Sequence, residues 1–99
     1  MLTIEQIKQT VADYFKDKPV KKVYLFGSYA TGDATDSSDI DILFSLKENT
    51  RMSYFGLAQY LVDLENKFAS KVDLVEEDKL YPRIKKVVDK HKILLYSAA

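Results

Sequence analysis

Two apolar runs on either side of a loop of small residues constrain what this chain can fold into. The first run, residues 23–26, ends at Gly27 and Ser28, and the second, residues 42–44, follows two acids, Asp39 and Asp41. Because side chains alternate between the faces of a strand, Asp39 and Asp41 are expected on one face of the second strand, roughly 7 Å apart. Two carboxylates at that distance repel each other and are poorly placed for a core. The pattern therefore indicates a site for a divalent cation such as Mg²⁺.

The loop between the two runs predicts a second property of the same region. Most of its residues are small, and backbone N–H groups in such a loop can bind a phosphate. A cation on one side and a phosphate on the other indicate nucleotide chemistry.

Apolar periodicity predicts a single α/β domain, residues 1–99, with a small mixed sheet and helices packed on it. Thr3 and Gln6 have the spacing of a capping box at the start of the first helix. The predicted element order is α-β-β-α-β-α-β, with one further helical turn allowed after Ser28. The predicted helices cover residues 4–16, 53–69 and 79–90, and the predicted strands cover 20–26, 39–46, 71–76 and 93–96.

A third acid, Asp73, stands alone in an otherwise apolar strand. Taken singly, each acid is compatible with a turn or with a solvated strand end. If the Asp73 strand lies beside the strand of Asp39 and Asp41, the three carboxylates converge at one edge of the sheet. Three carboxylates around two metal ions, roughly 4 Å apart, support in-line phosphoryl or nucleotidyl transfer by positioning and charge neutralisation.

These residues together resemble a known family. Gly27-Ser28, ten intervening residues, Asp39-Ile40-Asp41 and a later lone acid are similar to the motif of the nucleotidyltransferases of the DNA polymerase beta superfamily. The short length resembles the minimal nucleotidyltransferases (MNT proteins), in particular the antitoxins of HEPN-domain toxins. The resemblance implies a minimal polymerase-beta-like domain, ATP as co-substrate, Mg²⁺ as the metal, two ions in all, and pyrophosphate as the leaving group.

The resemblance also implies roles for particular residues. Ser28 and the loop amides, which include Gly27 and Tyr29, would bind the nucleotide, and Asp39, Asp41 and Asp73 would hold the metals, with Asp73 helping to deprotonate the acceptor. The ring of Tyr29 could flank a bound base or the acceptor, because Tyr29 lies inside the phosphate loop. The implied reaction is transfer of AMP to a tyrosine of a HEPN-type RNase toxin, which silences the toxin.

Thr31 departs from the family pattern, because many relatives carry Arg there. A guanidinium at that position could bind the phosphates, and Lys22, Lys47 and Arg51 are the candidate substitutes. Two alternative functions stay open, the first of them because of Thr31. One is a non-catalytic antitoxin that occludes its toxin, and the other is a nucleotidyltransferase acting on a small hydroxyl compound. The short chain leaves almost no room for an acceptor-binding element, which favours an acceptor on another protein and hence a hetero-oligomer.

Composition limits the partners and the cellular location that we expect for this chain. The chain carries 15 basic and 15 acidic residues, and this balance argues against direct nucleic-acid binding. No apolar run approaches the ~18 residues of a membrane span, the N-terminus has no signal-peptide pattern, and cysteine is absent. We therefore expect a cytoplasmic protein without membrane contact or disulfides. The single histidine, His91, is expected to have a structural role at a helix end.

Overall fold

The structure is a computed structural model that describes residues 1–98. Its helices are α1 (Ile4–Phe15), α2 (Gly27–Thr31), α3 (Tyr54–Phe68) and α4 (Pro82–His91), its strands are β1 (Val20–Phe26), β2 (Ile40–Leu46), β3 (Val72–Glu76) and β4 (Ile93–Ser97), and a 3-10 turn spans Glu77–Lys79. The predicted α/β class and element order are confirmed. None of the helices within residues 1–98 has the length and apolar character needed to cross a membrane.

Local sequence signals explain where the helices begin. The Thr3 hydroxyl accepts a hydrogen bond from the Gln6 amide, and the Gln6 side chain accepts one from the Thr3 amide, so the capping box is confirmed. Helix α4 begins at Pro82, three residues later than predicted, because proline is favoured at the first helical position, where no amide hydrogen is needed. The predicted helical turn after Ser28 is α2.

The four strands form a mixed sheet in the order β3-β2-β1-β4. Strands β2 and β3 are parallel and are connected through α3, whereas β1 is antiparallel to both β2 and β4. This topology brings the end of β1 together with the starts of β2, β3 and β4. We call this the site end of the sheet, and the opposite end the far end.

Both faces of β2 are covered, as its continuous apolar character predicts. Ile42 and Phe44 are fully buried in the main core with α1 and α3, and Leu43 is fully buried on the opposite face. The end of helix α4 lies over that opposite face, because Lys92, the residue after the helix, lies 4.2 Å from the centre of the Tyr24 ring, which points the same way as Leu43. Asp41 lies on this second face, two residues before Leu43.

The complete burial of Phe44 predicts a large loss of stability when its side chain is truncated. Replacing the fully buried Phe44 with Ala should lower the free energy of unfolding by about 3–5 kcal/mol, because a large cavity remains. The measurement is urea unfolding followed by circular dichroism, with Phe44→Leu as a milder variant, about 1 kcal/mol, should the Ala variant fail to fold. Phe55→Ala is the matched control, because Phe55 is 88% exposed and should change stability by less than about 0.5 kcal/mol. Equal losses for the two Ala variants would contradict this description of the core.

Candidate active site

The register of the two parallel strands places Asp41 directly opposite Asp73. Adjacent strands lie about 4.8 Å apart, so the two carboxylates are neighbours on one face. Asp39 is exposed and lies immediately before β2, where the amide of Ile40 donates to the carbonyl of Lys71. The predicted juxtaposition of the two acidic strands is confirmed, and all three acids lie at the site end of the sheet.

The three acids differ in their surroundings. Asp41 is half-buried, whereas Asp73 is exposed on β3, an edge strand. In the conformation described for residues 1–98, no group of three His, Cys, Asp or Glu side chains is drawn close enough together to hold a metal ion. The register supplies a pair of carboxylates, and the role of Asp39 as a third ligand stays a prediction.

The electrostatics of the pair are those of an unneutralised acidic site. Burial, and to a smaller extent the charges of Asp73 and Asp39, together raise the pKa of Asp41 to about 6. Within residues 1–98, no lysine or arginine forms an ion pair with any of these three acids. The negative charge at the site end is therefore available to a cation from solution.

Gly27 brings the loop into contact with the acids. Its φ of 69° lies in the left-handed region, and a Cβ atom at this position would overlap the Oδ2 atom of Asp41. Only glycine satisfies both conditions, because it has no Cβ and tolerates a positive φ. The turn that carries Ser28 is thereby held against the carboxylate of Asp41.

The structure shows where the Tyr29 ring lies. Tyr29 is 8% exposed and packs in the main core, where it lines an apolar groove of about 280 Å³ with Leu2 and Ala34. Successive side chains on a helix are about 100° apart, so α2 turns Tyr29 toward the core when Ser28 points elsewhere. The predicted roles of Tyr29, in binding the nucleotide through its amide and in flanking a base or the acceptor with its ring, stay predictions.

The structure does not bring the expected substitute cations to the site. Thr31 is exposed, and its hydroxyl donates to Asp33 at 2.9 Å, not to the acids. Lys47 and Arg51 follow the far end of β2, a seven-residue strand that spans about 20 Å. Lys22 lies four residues before the end of β1. None of these side chains occupies the place of the missing arginine.

Helix α4 brings a different basic residue near the loop. Ile93, two residues after α4, pairs with Leu25 near the end of β1, and α4 contacts α2, so the end of α4 that carries His91 lies at the site end. Sequence reasoning assigned His91 a structural role only. The proximity could not be inferred from spacing, because it depends on α4 crossing the sheet from the far end to the site end.

The close approach of Gly27 to Asp41 can be tested by substitution. Gly27→Ala should destabilise the protein by about 1 kcal/mol from its positive φ and by a further 1–3 kcal/mol from overlap with Asp41. Gly32→Ala is the matched control, because its φ is also positive, 86°, and nothing lies within 4 Å of the added Cβ. Urea unfolding measures both, and in an Asp41→Ala background the difference between the two variants should largely disappear. A difference that persists there would contradict the proposed contact.

The raised pKa of Asp41 predicts a pH-dependent stability. A carboxyl whose pKa is raised on folding destabilises the native state above its folded pKa, about 6, and this effect vanishes below its ordinary value, 3.8. Asp41→Asn should therefore be more stable than wild type at pH 7.5, by about 1 kcal/mol after allowance for solvent screening of a half-buried group. The gain should shrink as the pH falls from 6 to 3.8. Asp78→Asn, at an exposed position, is the control, and identical pH profiles for the two variants would contradict the prediction.

Comparison with known proteins identifies the family. A family model described as polymerase beta nucleotidyltransferase matches residues 5–99. A Methanocaldococcus jannaschii protein, MJ1379, provisionally named as a protein adenylyltransferase, is 36% identical over 98 residues, covering 94% of this chain and 98% of its own. Protein adenylyltransferase MntA of Thermococcus cleftensis is 33% identical over 93 residues, covering 89% of this chain and 91% of its own.

A solved structure shares the fold. It contains a tri-AMPylated HEPN toxin of Shewanella oneidensis in complex with an MNT antitoxin, and the matching chain superposes with a TM-score of 0.75 at 19% identity, over 97% of this chain and 74% of that one. At this identity the likeness shows the fold alone. The family match and the two sequence relatives decide membership: the chain belongs to the polymerase beta nucleotidyltransferase family.

Proposed function

We propose that this nucleotidyltransferase transfers AMP from ATP to a hydroxyl of a HEPN-type RNase toxin and so acts as the antitoxin. The observation that carries the proposal is the pairing of Asp41 with Asp73 beside the Gly27–Ser28 turn, at the site end of the sheet. The name of the Thermococcus cleftensis relative supports adenylyl transfer to protein. The AMPylated toxin in the complex that shares the fold supports the choice of partner.

The donor set fits Mg²⁺. The candidate ligands Asp39, Asp41 and Asp73 supply only carboxylate oxygens, which this hard cation prefers. Up to two ions, when bound, would neutralise charge on the triphosphate and lower the pKa of the acceptor hydroxyl. The raised pKa of Asp41 makes the site compete with protons for the cation below about pH 6.

The remaining steps belong to the chain's own groups. Ser28 and the amides of the loop would orient the triphosphate against the acids. Asp73, exposed on the edge strand, would accept the proton of the acceptor hydroxyl. The acceptor oxygen then forms a bond to the α-phosphorus, the bond between that phosphorus and the β-phosphate oxygen breaks, and pyrophosphate leaves.

The openness of the site favours a protein acceptor. Asp73 and Asp39 are both exposed, and β3 has its outer edge free within residues 1–98. A small hydroxyl compound needs a concave pocket to be positioned, whereas a protein acceptor is positioned by contacts elsewhere on its surface. We take the acceptor group to be a tyrosine hydroxyl, and the cytoplasm, where ATP is available, suits this reaction.

Occlusion of the toxin without catalysis is the second candidate. Thr31 favours it, because the arginine that many relatives use is absent and neither Lys47 nor Arg51 reaches the site end. Under this reading, loss of the acids leaves neutralisation of the toxin intact.

The test is a labelling experiment. The chain is incubated with α-labelled ATP, Mg²⁺ and a purified HEPN-domain protein from the same genome, and label is sought on the HEPN protein. Asp39→Asn/Asp41→Asn should reduce labelling at least 100-fold without unfolding, because it removes metal-binding charge at nearly constant volume. Omission of Mg²⁺, or its removal with a chelator, should have the same effect.

Asp33→Asn/Asp36→Asn is the matched control, since both acids lie in the loop but outside the carboxylate pair. Full labelling by Asp39→Asn/Asp41→Asn would overturn the assignment of the site. A stable complex that silences the toxin without label would replace the enzymatic proposal with occlusion.

A further inference from the structure

We infer that the outer face of α4 is the docking surface for the acceptor protein, and that this acceptor presents acidic side chains around an apolar patch. The outer face is defined by Tyr81, Arg83, Ile84, Lys86 and Val87. The inference rests on the proposed function only in taking the acceptor to be a HEPN-type protein. The structure itself supplies the location of the docking surface and the apolar and basic side chains that form it.

The outer face exposes apolar side chains in a regular stripe. Tyr81, Ile84 and Val87 follow one another at intervals of three residues and are 75%, 48% and 60% exposed. Val88 is the only residue of α4 that is buried. A ten-residue helix is only marginally stable unless one of its faces packs against another element. The apolar stripe gives α4 such a face, but the protein itself covers little of it. An apolar stripe of this kind is typical of a surface that a partner covers.

The charges on α4 are divided between two sides. Lys85 forms ion pairs with Glu77 and Asp89, and so does Lys92 just beyond the helix. Arg83 and Lys86 are exposed and form no ion pair with any other residue of the described part of the chain. The outer face is therefore basic although the whole chain has no net charge.

The chemistry of the outer face selects among partners. A second copy of the chain would set Arg83 and Lys86 against the same cations, which is repulsive. Cations alone would suit nucleic acid, but the apolar stripe beside them offers nothing to a phosphate backbone. A protein surface with acids around an apolar patch matches both features, because interfaces combine an apolar centre with a charged rim.

The position of the outer face suits a surface that presents an acceptor to the acids. Helix α4 is about 15 Å long and runs from the far end to the site end, where it contacts α2. A protein bound along α4 therefore lies within about one helix length of Asp41 and Asp73. Lys90 and His91 lie nearest to the loop, so they are left unchanged in the test below.

The experiment measures the dissociation constant between the full chain and the purified HEPN-domain protein by calorimetry, without ATP. Ile84→Asp/Val87→Asp and Arg83→Glu/Lys86→Glu should each weaken binding at least tenfold, the first by hydrating the stripe and the second by repelling acids on the partner. Val62→Asp is the matched apolar control, because Val62 is 50% exposed on α3, and Lys8→Glu is the control for charge. Ile84→Ala/Val87→Ala replaces the Asp pair if circular dichroism shows that the latter does not fold, and should weaken binding by a smaller but measurable factor.

Labelling with α-labelled ATP separates this inference from the proposed function. The α4 variants should raise the KM for the HEPN protein and leave the KM for ATP unchanged. Wild type that binds the HEPN protein but transfers no label, with binding still lost in the α4 variants, overturns the enzymatic proposal and supports the docking surface. Unchanged binding and transfer in all α4 variants overturn the docking surface alone. Binding of wild type to phosphatidylserine vesicles or to a 20-nucleotide RNA, lost in the same variants while HEPN binding persists, would also overturn it.

Discussion

The pairing of two like charges, Asp41 and Asp73, is the constraint on which the rest of this structure depends. Carboxylates directly opposite each other on neighbouring strands destabilise a sheet, and half-burial of one of them adds to the cost. The fold offsets this cost nearby, since Ile40, Ile42 and Phe44 on the same strand are fully buried. The parallel pairing itself requires the long crossover through α3. An arrangement that places repelling groups together and keeps one of them open to solvent is understandable when a cation completes it.

Gly27 links this constraint to the loop. Without a side chain and with a positive φ, it lets β1 end directly against Asp41 and lets α2 begin there. The same turn determines where the two residues after Gly27 lie. Ser28 lies near the acids, whereas the ring of Tyr29 packs in the core and so anchors the loop. The loop is therefore held at both ends, by a close backbone approach on one side and by an aromatic anchor on the other.

Much of this was predictable from the sequence, because it depends on local signals. The Thr3 cap, the apolar runs and the spacing from Gly27 to Asp41 each reflect the chemistry of a few consecutive residues, and the elements they predict are present. The position of Lys47 was also predictable from the sequence, since Lys47 lies at the opposite end of the strand that Asp39 precedes. The inward turn of Tyr29 was not, because it depends on the phase of a five-residue helix that has no periodic pattern of its own. The position of His91 at the site end was equally hidden, because only the path of α4 across the sheet creates it.

The uneven distribution of charge explains why net charge was a weak guide to partners. Fifteen positive and fifteen negative residues cancel over the whole chain, yet acids gather at the site end and cations without partners in the described chain lie along the outside of α4. Electrostatic attraction acts through local fields, which fall off within about 10 Å at ordinary salt. A cation and a protein acceptor can therefore be attracted to different parts of the same small domain without competing. Because α4 buries little of its own surface, a partner that covers it would also stabilise the helix itself.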